Sequence, residues 1–183
     1  MKNVNHKLIF DTSVITELLN AGLLDSLAIY RDVAKVEMIL PVDVRAELER
    51  EDVSWKLRNT LENFIKQGLF QVLNPAEDTV TELKYRYPSL GDGEVGVLAT
   101  ALTLKKHSST LVIPVLDDAQ ARNVAKKLGL KVHGTLWILV QLKKHHAISR
   151  KVAIKVVKEL PDRGFYIIKQ KLREIIKEVE KDC

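Results

Sequence analysis

Short apolar runs alternate along the chain with stretches in which apolar residues recur every three or four positions. This alternation is typical of an α/β fold with a mainly parallel sheet. The runs at 7–10, 36–40, 69–73 and 111–116 are predicted to be strands, and a weaker fifth candidate lies at 131–133. The helical patterns between the runs supply the connections that parallel strands need.

Beyond Thr135 the strand pattern stops and helical patterns replace it. Helices are predicted at 136–144 and 149–159, and a turn-forming cluster at 161–164 precedes a last helix. In this last helix apolar residues recur at steps of four and three from 168 to 179, so one face is apolar. That face must pack either on the same domain or on a second subunit.

The composition is that of a folded globular protein. Apolar residues make up 46% of the chain and charged residues 29%, which argues against disorder. A length of 183 residues suits a body over 1–145 with a helical extension over 146–183. No apolar run approaches the roughly 18 residues that a membrane span needs, and the N-terminus lacks a signal-peptide pattern. We therefore expect a cytoplasmic protein with no membrane partner.

Charge and cysteine content narrow the kinds of partner and metal site. The net charge is +5, and 12 of the 29 Lys and Arg residues lie in 141–183 beside 6 of the 24 acidic residues. Basic helices attract polyanions, although they also occur as ordinary solvated surfaces. Cys183 is the single cysteine, so one chain contains neither a disulfide nor a thiolate metal site. A surface rich in Lys and Glu suggests a thermophilic source.

Carboxylates directly follow two of the predicted strands. Asp11 ends the first apolar run, and the adjacent Asp117 and Asp118 end the run at 111–116. Open α/β sheets bind their ligands at the carboxyl ends of the strands. The alternative is that Asp11 caps the helix that follows it, and that one of Asp117 and Asp118 caps the next. Adjacent carboxylates repel each other, however, so the second member of the pair needs solvent or a cation.

Glu47 lies in a predicted helix after Pro41, with Asp43 as the expected helix cap. It borders the apolar face that includes Val44, which makes it a candidate for a site at the edge of the core. The alternative is a surface glutamate paired with Arg50, an interaction worth only a few tenths of a kcal/mol.

Asp92 and Glu94 open a further predicted helix, in which they alternate with Gly91 and Gly93. Glycines at a helix start let the backbone approach a ligand closely, and the carboxylates face the positive end of the helix dipole. Capping is again the alternative, but a cap needs one carboxylate and no glycine pair.

Four or more carboxylates in one cleft are unfavourable without a counter-ion. Hard oxygen ligands of this kind suit Mg²⁺ or Mn²⁺. No CxxC or HExxH pattern indicates zinc, and the histidines at 107, 133, 145 and 146 show no ligand spacing that joins them to the acids.

Five short segments occur in an order and spacing that resemble those of PIN-domain nucleases, particularly the archaeal and bacterial branch related to VapC toxins. The resemblance covers roughly residues 7–145. The segments are IFDTS at 9–13, LPVDVRAEL at 40–48, LGDGE at 90–94, LDDAQAR at 116–122 and GT at 134–135.

The resemblance implies a three-layer α/β/α fold with a central, mainly parallel sheet of four to five strands, and an acidic site that holds Mg²⁺ or Mn²⁺. The body over 1–145 is then the catalytic domain. The implied catalytic acids are Asp11, Glu47, Asp92 and Asp117, with Glu94 and Asp118 as further metal ligands or supporting groups and Ser13 in contact with the cluster.

The implied activity is divalent-metal-dependent hydrolysis of single-stranded RNA, in a toxin-type endoribonuclease with an antitoxin partner or in an RNA-processing nuclease. Arg122 is a candidate for binding the RNA backbone, or else an ordinary surface residue of its helix. A homodimer is a further expectation. The alternatives are a non-catalytic RNA- or protein-binding module, and a phosphate-binding protein of the response-regulator type, for which Lys131 is the only near candidate for the required lysine.

Overall fold

Four parallel strands form the centre of the part of the chain that the structure, a computed structural model, describes: residues 6–107 and 109–181. The strand order is β3-β2-β1-β4, and each neighbouring pair is parallel. The strands are β1 (His6–Phe10), β2 (Glu37–Pro41), β3 (Gln71–Leu73) and β4 (Leu111–Val115).

Ten α-helices flank this sheet within the described residues, which confirms the predicted three-layer α/β/α fold. A single 3₁₀ turn, Pro161–Arg163, separates the last two. The helices are α1 (Thr12–Asn20), α2 (Leu24–Ala34), α3 (Val42–Leu48), α4 (Trp55–Lys66), α5 (Glu77–Arg86), α6 (Asp92–His107), α7 (Ala119–Lys127), α8 (Thr135–Lys144), α9 (Arg150–Glu159) and α10 (Lys169–Glu180).

Strand β1 is central and positions the site. Its residues Leu8, Ile9 and Phe10 are fully buried, as expected for a parallel strand covered on both faces. Phe10 pairs with Val115 of β4, and Ile9 pairs with Ile39 of β2, so the strands end at nearly the same level. The residues that follow β1, β2 and β4 therefore meet at one edge of the sheet.

The fifth predicted strand is reduced to a single bridge. His133 N donates to Pro114 O at 3.1 Å, and His133 O accepts from Leu116 N at 2.8 Å. The pairing then stops because Gly134 is the N-cap of the next helix. A one-residue bridge thus fixes the start of α8 beside the end of β4.

Asp43 does not cap α3, contrary to the expectation from the sequence. The helix begins at Val42, directly after β2, and its N-cap is Pro41, which provides no side-chain hydrogen bond. Asp43 lies in the first turn and packs over α6, where a Cβ on Gly96 would lie 2.7 Å from its Oδ2. The glycine lets α3 and α6 approach closely.

The C-terminal helices pack on α8 of the same chain. Val157 and Leu160 are fully buried, and Ile175 and Val179 place the apolar face of α10 in the same core. Because the apolar face of α10 is covered within the same chain, it is no longer evidence for a second subunit. The expected homodimer stays a prediction. Cys183 lies outside the described residues.

No single helix in the described chain has the length and apolarity to cross a membrane. Within residues 6–107 and 109–181, one pair of helices, α1 and α2, meets that criterion when taken together, with a bend of 113° between them.

Candidate functional site

Asp11 lies at the carboxyl end of β1 and also caps α1. Its backbone N–H donates to Val115 O at 3.1 Å, and its Oδ2 accepts from Ser13 Oγ at 2.6 Å and from Ser13 N at 3.3 Å. The residue is buried, and this burial raises the pKa of its carboxyl group. The Ser13 hydrogen bonds lower the pKa, and the charge of Glu47 raises it further. Asp11 therefore both caps α1 and belongs to the acidic site.

Glu47 is held by partners from two other elements. Its Oε1 accepts a hydrogen bond of 2.8 Å from Gly93 N, and its Oε2 accepts one from the Thr12 hydroxyl. A Cβ on Gly93 would lie 2.6 Å from Oε2, so only glycine leaves room for the carboxylate. The surface alternative is not observed, because Arg50 pairs with Asp52 at 3.3 Å instead.

Glu94 lies at the start of α6 and faces the other acids. Its Oε2 accepts from Gly91 N at 2.9 Å, and the residue is partly buried. Burial raises the pKa of the Glu94 carboxyl group, while the Gly91 hydrogen bond lowers it. The charges of Asp118, Asp11 and Glu47 raise that pKa further, which places all four carboxylates within electrostatic reach.

The side chain of Asp92 points away from the other acids. Its side chain is 71% exposed, and its Oδ1 forms an ion pair of 2.7 Å with Lys84 Nζ. This hydrogen bond raises the pKa of Lys84. Of the two acids that open α6, the structure therefore brings Glu94 toward Asp11 and Glu47, whereas Asp92 lies on the outer surface.

The two aspartates after β4 also diverge. Asp118 is the N-cap of α7, where its Oδ1 accepts from Ala121 N at 2.8 Å, and its charge acts on Glu94. Its exposed position leaves it open to a ligand from solvent.

Asp117 instead anchors α8. Its two carboxylate oxygens accept from Thr135 N at 2.8 Å and from Thr135 Oγ1 at 2.5 Å. The helix N-cap is Gly134, which has no side chain, and a Cβ there would lie 2.5 Å from Asp117 Oδ1. Burial raises the pKa of Asp117, whereas the Thr135 bonds and the charge of Arg122 lower it.

Sequence reasoning missed Glu17, which follows Ser13 by four residues on α1. Its Oε2 is buried and has no hydrogen-bond partner among the described residues. Burial raises the pKa of its carboxyl group, the charge of Arg163 lowers it, and Asp117 raises it again. Helical spacing from Ser13 is the signal that could have found it, since residues four apart share a face.

Arg163 comes from the turn between α9 and α10. Its Nη2 donates to Glu159 Oε2 at 2.7 Å, and its charge acts on Glu17. The turn before α10 therefore places the guanidinium group of Arg163 beside α1, close to the acidic site. Thr12, the partner of Glu47, was also missed although it lies between two predicted site residues.

The chemistry of the donors fits a hard divalent cation. Asp11 and Glu94 are carboxylates whose pKa values are raised by burial and by like charges, which is the condition that a cation relieves. Within residues 6–107 and 109–181, no three His, Cys, Asp or Glu side chains are placed closely enough to hold a metal ion as they stand.

Comparison with known proteins assigns the fold to a family. A family model described as a PIN domain matches residues 7–181, so the match includes the helices after residue 145. No curated protein matches the chain. PIN domains are generally nucleases and typically use divalent metal ions. The match spans nearly the whole sequence, and the chain therefore belongs to the PIN domain family.

Proposed function

We propose that the protein is a divalent-metal-dependent ribonuclease that hydrolyses phosphodiester bonds of single-stranded RNA. The observation that carries the proposal is that Asp11, Glu47 and Glu94 lie within electrostatic reach at the carboxyl edge of the sheet, where burial and neighbouring negative charges raise the pKa values of Asp11 and Glu94. Such a cluster is unfavourable by itself and favourable around a cation.

Asp11, Glu47 and Glu94 are the residues that would hold Mg²⁺ or Mn²⁺, and Asp118 is the nearest further acid. When bound, such an ion lowers the pKa of a water molecule and stabilises charge on a phosphate. This assignment replaces Asp92 with Glu94 and Asp117 with Asp118 as direct ligands. It rests on where the side chains point.

The remaining polar groups orient the acids. Ser13 fixes Asp11 through its hydroxyl and backbone N–H, and Thr12 and the Gly93 N–H fix Glu47. Asp117 is assigned as a positioning residue, because it anchors α8 and because Asp118 is the member of the pair whose charge acts on Glu94. Arg122 lies near Asp117, since its charge lowers the pKa of that carboxyl group. Its guanidinium group would supply a positive charge for an RNA phosphate.

Cleavage of a mixed single-stranded RNA pool tests the proposal. The wild type should cut RNA with Mg²⁺ or Mn²⁺ and not with EDTA. Asp11→Asn should be inactive, because it removes a ligand and keeps a residue that caps helices well. Asp92→Asn is the matched control and should stay active. RNA binding without cleavage by the wild type would identify a non-catalytic module instead.

Within this proposal, a toxin-type endoribonuclease held inactive by an antitoxin protein is the finer version. Expression of the wild type should then arrest growth, and Asp11→Asn should not. Co-expression of the product of an adjacent gene should relieve the arrest. Cleavage in vitro without any effect on growth would favour an RNA-processing nuclease.

A further inference from the structure

A groove of about 430 Å³ adjoins Asp117, between α8 and the segment that leads into α10. This volume is within the range of small-molecule sites. Its walls include His133 and Trp137 on one side and Phe165 and Tyr166 on the other. The groove therefore begins at the acidic edge and ends among aromatic rings.

Two of these rings already form a stack. The ring centroids of His133 and Trp137 lie 4.3 Å apart, and the planes are inclined by only 8°. Both rings line the groove and Trp137 also packs against the core, so the stack forms a fixed aromatic wall on which a further planar group can lie. Tyr166 adds an aromatic side chain that is 89% exposed and packs against little of the protein.

The charges in the groove are few and balanced. Arg122 and Lys171 are its cations, and Asp117 and Glu178 are its carboxylates. Arg122 lies near Asp117, because its charge lowers the pKa of that carboxyl group. A phosphate chain alone would favour a strongly basic groove. A neutral planar group attached to one phosphate fits apolar and aromatic walls whose lining also includes cations.

We propose that this groove binds an unpaired nucleobase of single-stranded RNA, next to the phosphate that lies at the acidic cluster. Single-stranded RNA is recognised mainly by stacking splayed bases on aromatic side chains and by contacts to the neighbouring phosphates. The inference rests on the proposed ribonuclease function and adds a subsite to it. The competing occupant is an apolar peptide of a protein partner.

The test measures binding without cleavage, so that it does not depend on activity. All proteins carry Asp11→Asn and are kept in EDTA. The probes are a short oligouridylate and an abasic ribose-phosphate oligomer of the same length and charge. The subsite predicts that the base-containing probe binds more tightly, because only it can stack.

Substitution of Trp137 then locates the difference. Trp137→Ala should weaken oligouridylate binding by roughly 5- to 100-fold and leave abasic binding unchanged. Tyr166→Ala, at an exposed position that folding does not need, should act in the same direction. Trp55→Ala is the control, because Trp55 is exposed and lies outside the groove.

The fluorescence of Trp137 reports on base stacking without any substitution in the groove. Trp55→Phe leaves Trp137 as the only tryptophan of the chain, and oligouridylate should quench its emission while the abasic probe does not. Equal binding of both probes without quenching would overturn the inference and favour a peptide groove. If the wild type still cleaves RNA in that case, the ribonuclease proposal stands; if it neither binds nor cleaves RNA, both fail.

Discussion

The Oε1 of Glu47 accepts a hydrogen bond of 2.8 Å from the backbone N–H of Gly93, which lies 46 residues further along the chain. This contact joins α3 to the first turn of α6 at the acidic edge of the sheet. It exists only because position 93 has no side chain, since a Cβ there would lie 2.6 Å from Glu47 Oε2.

Gly93→Ala should therefore displace Glu47 and lower RNA cleavage by at least 10-fold, with a change of less than about 1 kcal/mol in the free energy of unfolding, because the displaced atoms end a flexible side chain and alanine favours the helix. Cleavage assays and denaturant unfolding measure the two effects. Gly91→Ala is the matched control, because its Cβ would lie at an ordinary 3.8 Å from Glu94 Oε2. Equal effects of the two substitutions would contradict the role of the close approach.

Glu94→Gln and Asp92→Asn separate the two acids of α6. Each substitution removes one negative charge and keeps the shape of the side chain. Glu94→Gln should weaken Mn²⁺ binding by about 10-fold or more and lower cleavage by a similar factor, whereas Asp92→Asn should change either by less than about threefold. Calorimetric titration with Mn²⁺ and cleavage rates provide the measurements. The reverse ranking would restore Asp92 as the ligand.

Asp11→Asn should stabilise the protein in EDTA. The pKa of Asp11 is raised in the folded state, so its contribution to stability is present below the unfolded pKa of about 3.9 and is lost as pH rises through the folded value. At pH 7.5, well above the unfolded pKa, the burial and like charge that raise the pKa of Asp11 therefore oppose folding, and the variant should melt higher, by about 2–4 °C for each 1 kcal/mol at this size.

The same comparison at lower pH and with metal checks the cause. As the pH is lowered toward the unfolded pKa of about 3.9, the difference between wild type and Asp11→Asn should shrink, because the raised pKa lets the folded state take up the proton first. Mn²⁺ at pH 7.5 should raise the melting temperature of the wild type more than that of the variant. A variant that melts below the wild type in EDTA would show that repulsion is not the dominant effect.

Arg163→Met should lower the free energy of unfolding by roughly 1–3 kcal/mol, because it removes the positive charge that acts on Glu17 and leaves Glu159 with only the Lys155 ion pair at 3.8 Å. Glu17→Gln in the same chain should recover part of this loss, since a neutral amide no longer needs the charge. Denaturant unfolding of the two single variants and the double variant gives the coupling energy. Additive effects would mean that Arg163 does not act on Glu17.

The layout of the sheet could be predicted because its strands are buried on both faces. Such strands are continuous apolar runs, which mark β1, β2 and β4 in the sequence. The third run was predicted too long, since Leu69 and Phe70 are buried before β3 begins at Gln71. Burial alone does not reveal where strand pairing starts.

The position of the candidate site in the fold could be predicted from the sequence, but the side chains that form it could be predicted only in part. A carboxylate after a strand or at the start of a helix can be recognised from its neighbours in sequence. The direction of its side chain depends on helix phase and on distant partners, such as Lys84 for Asp92 and Thr135 for Asp117. Glu17 escaped prediction for the same reason, because Arg163 lies 146 residues away.

The two hydrogen bonds that Glu47 accepts affect the thermodynamics of ion binding. A free glutamate side chain rotates about three bonds, and fixing such a side chain typically costs up to about 1.5–2 kcal/mol of entropy. Here Gly93 and Thr12 restrict that rotation as the chain folds. This ordering entropy is thus lost once, during folding, and an arriving ion meets a carboxylate whose freedom is already restricted.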